Sequence, residues 1–258
     1  MVMDYEGFKK EIFTLTGIDL GSYKEKQMKR RIDVLINKNG IENYTDYVKT
    51  LKSDSLVFKE FINYITINVT EFYRNPGQWK VLEEEVLPEL LRNSKNLKIW
   101  STACSTGEEP YTLVMVLSKL IPLANIKIIA TDIDKQAIEK AKAGIYSSKS
   151  IENLPVEMKN RFFTKEGDNY LISNDIKRCV DFKRINLLCD EYPKECDLIV
   201  CRNVLIYFTE EAKSEIYIKF AKSLKKGGVL FVGSTEQIIM SQKYNLKPMK
   251  TFFYKRLE

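Results

Sequence analysis

The hydrophobic pattern changes period part-way along the chain. Up to about Asn68 apolar residues recur at helical spacing, whereas from Leu97 onward short apolar runs alternate with helical stretches. The clearest early helix is expected to open at Ser22, with Glu25 completing a capping box, and to end at Asn39-Gly40. Met28, Ile32, Leu35 and Ile36 share one face of it, while Lys26, Lys29 and Arg30 project from the other, with Lys24 and Arg31 at the flanks. Such a basic face is either solvated surface or a docking surface for an acidic partner, and periodicity alone does not choose.

Asn75-Pro76-Gly77 punctuates the chain and predicts a junction between a helical domain over 1–75 and a second domain over 76–258. A helix over Trp79 to Leu91 leads into the second domain. Strands are expected at Leu97 to Ser101, Ile126 to Thr131, Val180 to Arg184, Asp197 to Cys201, Val229 to Val232 and Phe252 to Lys255. Helices are expected over Pro110 to Leu120 and Glu210 to Leu224. This alternation predicts an α/β fold with a doubly wound parallel sheet. The rhythm breaks between Tyr146 and Arg178, where Asn169-Tyr-Leu-Ile, Ser173-Asn-Asp and Ile176 to Val180 read as a small hairpin insertion, a β-subdomain over about 147–182.

Composition narrows the chemistry. Lys and Arg number 41 against 35 Asp and Glu, a net charge of +6 that by itself selects no partner. The five cysteines form no C-x-x-C pair, so neither a disulfide framework nor a cysteine metal site is expected. No apolar run approaches the ~20 residues of a membrane span and the start lacks a signal-peptide core, so a cytoplasmic protein without membrane insertion is expected. The chain has no histidine, which removes imidazole catalysis, His triads and His–metal sites. Basic stretches interleaved with aromatics are lacking, so nucleic acid is not the expected partner.

In a doubly wound sheet the ligand lies beyond the carboxyl ends of the strands. The loop after the first strand, Ser101-Thr-Ala-Cys-Ser-Thr-Gly-Glu-Glu-Pro, has one glycine and two acids at the helix start, where a pyrophosphate would be repelled. Glu108 and Glu109 either complement the helix dipole or hold a cationic ligand; S-adenosylmethionine, with a sulfonium, an ammonium and no phosphate, suits the second reading. Asp132 is either a turn-forming strand end or an acceptor for ribose hydroxyls. Arg202-Asn203 interrupts an apolar stretch at the ligand edge, and the Pro-Pro that amino-methylating nucleic-acid enzymes generally carry here is lacking.

These segments resemble a known family. Asn68-Val-Thr-Glu-Phe-Tyr-Arg74, Trp100-Ser-Thr-Ala-Cys-Ser-Thr-Gly-Glu-Glu-Pro-Tyr111, Thr131-Asp-Ile-Asp134, Asn186-Leu-Leu188 and Cys201-Arg-Asn-Val-Leu-Ile-Tyr-Phe208 are similar, in order, to those of the chemotaxis receptor methyltransferases, the CheR family. The resemblance implies a Rossmann-like methyltransferase sheet with an inserted β-subdomain, preceded by an all-α domain. It implies S-adenosylmethionine as cofactor and S-adenosylhomocysteine as product. The activity implied is methyl esterification of glutamates on chemoreceptors, in adaptation. Cofactor contacts are implied at Asn68, Thr70, Arg74, Glu109, Asp132, Asn186, Leu187, Arg202 and Asn203, with Arg74 and Tyr207 handling the reacting carboxylate. Lys26, Lys29 and Arg30 are implied to meet the acidic methylation region of the receptor. Two departures stand out: Ala103 where many members have Gly, and Ser234 where many have His. The loop around Gly167 lacks the glycine-rich form of members that tether to a receptor's C-terminal peptide, so direct binding to the methylation region, by a monomer, is the expectation.

Overall fold

The computed structural model describes residues 3–257. It divides into two compact units: one runs through Asn68 and takes in Ile206–Glu215, and the other holds Val69–Leu205 and the chain from Ile216 on. The division thus precedes Asn75-Pro76-Gly77, which instead opens a helix.

The first unit is helical. Its helices are α1 (Tyr5–Thr16), α2 (Glu25–Lys38), α3 (Tyr44–Ser53) and α4 (Ser55–Ile65), and Asp4, Asn43 and Asp54 cap α1, α3 and α4 through side-chain oxygens. The capping box expected at Ser22 does not form. The Ser22 hydroxyl donates to the Asp19 carboxylate at 2.7 Å, and α2 starts after Lys24, which makes no side-chain cap. The backbone there is occupied otherwise: Lys24 N–H donates to Tyr207 O at 2.9 Å, Thr209 N–H to Ser22 O at 2.9 Å, and the Tyr23 and Phe208 rings stack at 4.6 Å. The apolar face of α2 is buried at Met28, Ile32, Leu35 and Ile36 as its spacing predicts. Phe8, fully buried, packs its ring 4.9 Å from that of Tyr44 and 6.3 Å from those of Tyr47 and Phe61.

The second unit opens with α5 (Pro76–Val81), a wider turn over Leu82–Val86 and α6 (Leu87–Asn93). The expected single helix is broken in bonding because Leu87 N–H reaches Leu82 O, one residue beyond the usual partner, and Pro88 has no N–H to give. There follow β1 (Ile99–Ser101), α7 (Glu108–Leu117), β2 (Ile128–Asp132), α8 (Lys135–Ala143), β3 (Ile145–Ser147), α9 (Val156–Phe162), β4 (Phe163–Glu166), β5 (Asn169–Ile172), α10 (Asn174–Lys177), β6 (Val180–Arg184), β7 (Cys196–Cys201), α11 (Glu210–Ser223), β8 (Leu224–Val232), β9 (Leu246–Lys250) and β10 (Phe253–Arg256). α11 begins in the first unit and ends in the second.

Seven strands form one sheet in the order β6-β2-β1-β7-β8-β10-β9. The pairs β6-β2, β2-β1, β1-β7 and β7-β8 are parallel, and β10 runs antiparallel between β8 and β9. The order reverses between β1 and β7, so the crevice of a doubly wound sheet lies beyond their carboxyl ends. The sheet core is apolar on both faces, with all six residues of β7 buried.

The insertion differs from the expected hairpin. β5 pairs antiparallel with β4 and β3 in a separate sheet, order β3-β5-β4. Ser173 caps α10 by accepting from Ile176 N–H at 3.4 Å, which takes Ile176 into a helical turn, and Val180 starts β6 of the main sheet. β9 was not among the expected strands; it contains Pro248, which is tolerated on the sheet edge because no further strand needs its N–H.

Replacing Phe8 by Ala is expected to cost the helical unit about 3–5 kcal/mol through lost burial and the cavity left behind. A urea titration followed by circular dichroism reads this as a lower midpoint.

Candidate functional site

The loop after β1 is held over the sheet by its own backbone. Thr102 N–H donates to Val200 O and Cys104 N–H to Thr131 O, each at 2.9 Å, so the loop bridges the ends of β7 and β2. Gly107 enters α7 at φ 96°, and a Cβ there would lie 2.9 Å from that of Ala141 and 3.0 Å from the Tyr146 hydroxyl oxygen. Only glycine meets both demands.

Arg202, just beyond β7, is buried and gathers the site. Its Nη2 donates to Arg74 O and to Gln78 Oε1, each at 2.8 Å, and lies 3.3 Å from Asn75 Oδ1. Its Nη1 forms an ion pair with Glu109 Oε2 at 3.6 Å, and Ser101 Oγ donates to Glu109 Oε1 at 2.9 Å. The guanidinium carbon stands 5.1 Å from the Trp79 ring centroid and 4.8 Å from that of Phe231. Trp79 Nε1 adds a second bond to Arg74 O, at 2.9 Å.

These contacts pin the chain before α5. Tyr73 and Asn75 take left-handed backbones, at φ 55° and 59°, and Tyr73 N–H donates to Thr112 Oγ1 on α7 at 3.2 Å. Thr70 is half-buried on the same segment. The Arg74 guanidinium is also half-buried, and among the described residues its hydrogen bond is to Val69 O at 3.2 Å.

Asp132 ends β2. Its two oxygens accept from Ser105 N–H at 2.7 Å and Asp134 N–H at 2.9 Å. Asn186 turns the chain after β6, its Oδ1 accepting from Leu188 N–H at 3.0 Å, while Leu187 is buried and its carbonyl takes the Tyr192 hydroxyl. Lys219 secures the same turn by donating to Leu188 O at 2.6 Å. Asn203 follows Arg202 at φ 60°.

The structure thus brings Arg74, Glu109 and Arg202 into one network, with Thr70 on the segment before α5, Asp132 at the end of β2, and Asn186, Leu187 and Asn203 on the loops after β6 and β7 of the same unit. Asn68 and Tyr207 belong to the helical unit, where the Asn68 amide donates to Thr66 Oγ1 at 3.1 Å. Lys26, Lys29 and Arg30 are exposed on α2 of that unit. Sequence reasoning did not select Ser101, Gln78, Trp79, Lys219 or Glu236. The one signal available was an acid, Glu236, closely following an apolar strand.

Burial sets the electrostatics. It pushes the Glu109 carboxyl up to about 7 against the pull of Arg202, and that of Glu108 up to about 7 against the Thr106 hydroxyl bond. It raises Asp132 to about 6 against its backbone bonds. Buried carboxyls in the first turn of α7 and at the end of β2 make a poor seat for phosphates. They fit a ligand that brings positive charge and hydroxyl donors, the chemistry of S-adenosylmethionine.

Residues 68–253 match the family model described as CheR methyltransferase, SAM binding domain, and residues 3–66 match CheR methyltransferase, all-alpha domain. The chain belongs to the CheR methyltransferase family. A chemotaxis protein methyltransferase of Listeria monocytogenes is 44% identical over 97% of this chain and 96% of its own. One from Borreliella burgdorferi is 34% identical over 89% and 86%, and chemotaxis protein methyltransferase 1 of Pseudomonas aeruginosa is 33% identical over 91% and 90%. As a CheR methyltransferase the chain uses S-adenosylmethionine, and the fold is the all-α domain followed by the cofactor-binding methyltransferase sheet. Among the described residues no helix is long and apolar enough to cross a membrane.

The raised carboxyls predict the pH dependence of the ligand-free protein. Glu108 and Glu109 keep their protons to about 7 when folded, while an unfolded glutamate loses its proton near ~4.3. Between these values the folded state binds more protons, so stability should fall as pH rises and level off above about 7. Glu108→Gln, which keeps an acceptor for Thr106, should flatten that slope in denaturant titrations run across the range.

Proposed function

We propose that this chain transfers a methyl group from S-adenosylmethionine to glutamate side chains in the cytoplasmic methylation region of chemoreceptors, forming methyl esters in chemotaxis adaptation. The observation that carries this reading is the pair of buried acids beyond the sheet, Glu109 held by Arg202 and Ser101 and Asp132 held by the amides of Ser105 and Asp134, which suit a positively charged donor. The names of the relatives, chemotaxis protein methyltransferases, support the choice of partner.

The cofactor supplies a methyl on a sulfonium, which a carboxylate oxygen takes to form an ester while sulfur keeps the bonding pair. A glutamate has an ordinary pKa of ~4.3 and is already a nucleophile at neutral pH, so no general base is required and the absence of histidine is no handicap. What the chain supplies is position. Asn68, Thr70, Arg74, Glu109, Asp132, Asn186, Leu187, Arg202 and Asn203 are assigned to the cofactor. Arg202 is assigned to it by holding the backbone of Arg74, since its Nη2 is engaged with the Arg74 carbonyl and with Gln78 at the start of α5.

Arg74 and Tyr207 are assigned to the acceptor. The Arg74 fork carries five N–H donors and spends one on Val69 O among the described residues, so it can orient a carboxylate without a firm grip that would quench it. Lys26, Lys29 and Arg30 offer a positive face to the acidic methylation region. The β4-β5 turn is only Gly167-Asp168, which favours direct binding there over a tether to a receptor's C-terminal peptide. The protein is read as a cytoplasmic monomer.

Incubation with methyl-labelled cofactor and receptor fragments tests the reading. A glutamate methyl ester releases labelled methanol in mild alkali, whereas methylated amines do not, and label stable to alkali would refute it. Arg74→Ala should lose most turnover in the same assay, and near-normal turnover would remove the residue from the acceptor site.

A further inference from the structure

We infer that Glu236 is a positioning residue of the cofactor site, acting through Asn203; this rests on the proposed contact between Asn203 and the cofactor. Glu236 is buried in the loop after β8. Its Oε2 accepts from Asn203 N–H at 2.6 Å and from Gly233 N–H at 2.9 Å, and its Oε1 accepts from Leu205 N–H at 2.7 Å. One carboxylate thus gathers three backbone amides from the loops that follow the adjacent parallel strands β7 and β8.

The arrangement answers a backbone need. Asn203 sits at φ 60°, a left-handed backbone that asparagine adopts more readily than most L residues, and short bonds to a carboxylate on the amides of Asn203 and Leu205 fix it on both sides. Gly233 is part of the same device. Its carbonyl accepts from Glu236 N–H at 3.0 Å, and a Cβ on it would lie 2.5 Å from Glu236 Oε2 and 2.8 Å from Asn203 N. The Gly233-x-x-Glu236 spacing therefore builds a clamp that no side chain at the first position would allow. The Glu236 charge also favours the cationic form of Arg202, the residue preceding Asn203.

Glu236→Gln keeps the size of the side chain but sets an NH2 against at least one of the three N–H donors. Calorimetric titration with S-adenosylmethionine should show Kd raised about tenfold or more at a stoichiometry still near one. KM for the cofactor should rise in step, with a smaller fall in kcat. Glu236→Asp, which keeps the charge with a shorter reach, should recover part of the affinity. Asn203→Gly, which tolerates the left-handed backbone without the side chain, should raise Kd alone, and adding Glu236→Gln to it should raise Kd little further. A Glu236→Gln protein that melts earlier or binds at low stoichiometry with unchanged Kd would show a merely structural role and overturn the inference. Additive losses would also overturn it, because Glu236 would then act elsewhere. An unchanged Kd in Asn203→Gly would overturn the site reading beneath it, and the inference with it. A rise there without one in Glu236→Gln would overturn the inference alone.

Discussion

A guanidinium taken out of water has to be bonded by the protein around it, and the burial of Arg202 organises the cofactor-binding unit for that reason. One of its nitrogens takes the Arg74 carbonyl and the Gln78 amide, another faces the Glu109 carboxylate, and the rings of Trp79 and Phe231 flank it. Segments far apart in sequence are thereby held in one geometry: the chain before α5, the first turn of α7 and the end of β7. A lysine could not serve, because the planar fork of arginine addresses several acceptors at once where an ammonium presents a point charge.

The same burial gives the site its sign. Glu108 and Glu109 in the first turn of α7 and Asp132 at the end of β2 are kept from water, and each holds its proton more tightly than an exposed acid. Arg202 offsets only part of this at Glu109. A positively charged ligand offsets more, which links the short acidic loop after β1 to the choice of a sulfonium donor over a dinucleotide. Two more devices hold the loops around it: Lys219 and Tyr192 on the carbonyls after Asn186, and Glu236 on the amides after Arg202. In both, side chains grip backbone and so order a loop that has no regular structure of its own.

Much of this was legible beforehand. Alternating strands and helices in the second half indicated the doubly wound sheet, and Glu109, Asp132 and Arg202 could be picked out as charged groups at strand ends. The helical spacing of Met28, Ile32, Leu35 and Ile36 told which side of α2 is buried. The misreadings share a cause. Ser22 and Glu25 have the spacing of a capping box, but Asp19 takes the serine and residues 206–215 take the backbone beside it. Ile176 to Val180 looks like the second strand of a hairpin, yet Ser173 winds its start into α10. β9, with Pro248 inside it, was not among the expected strands, and it is the sheet edge that makes room for that proline.

By itself, then, the sequence determined what depends on neighbours along the chain: periods of burial, a loop before α7 with one glycine and two acids, and the absence of imidazole chemistry. It also determined the family, because motif strings carry their spacing with them. Only the tertiary structure decided which distant groups meet: Arg202 with Arg74 O and Glu109, Glu236 with the amides around Asn203, and residues 206–215 with the helices at the start of the chain. The physical reason is that a buried charge is satisfied by whatever donors or acceptors the fold brings within about 3 Å, and sequence separation has no bearing on that distance.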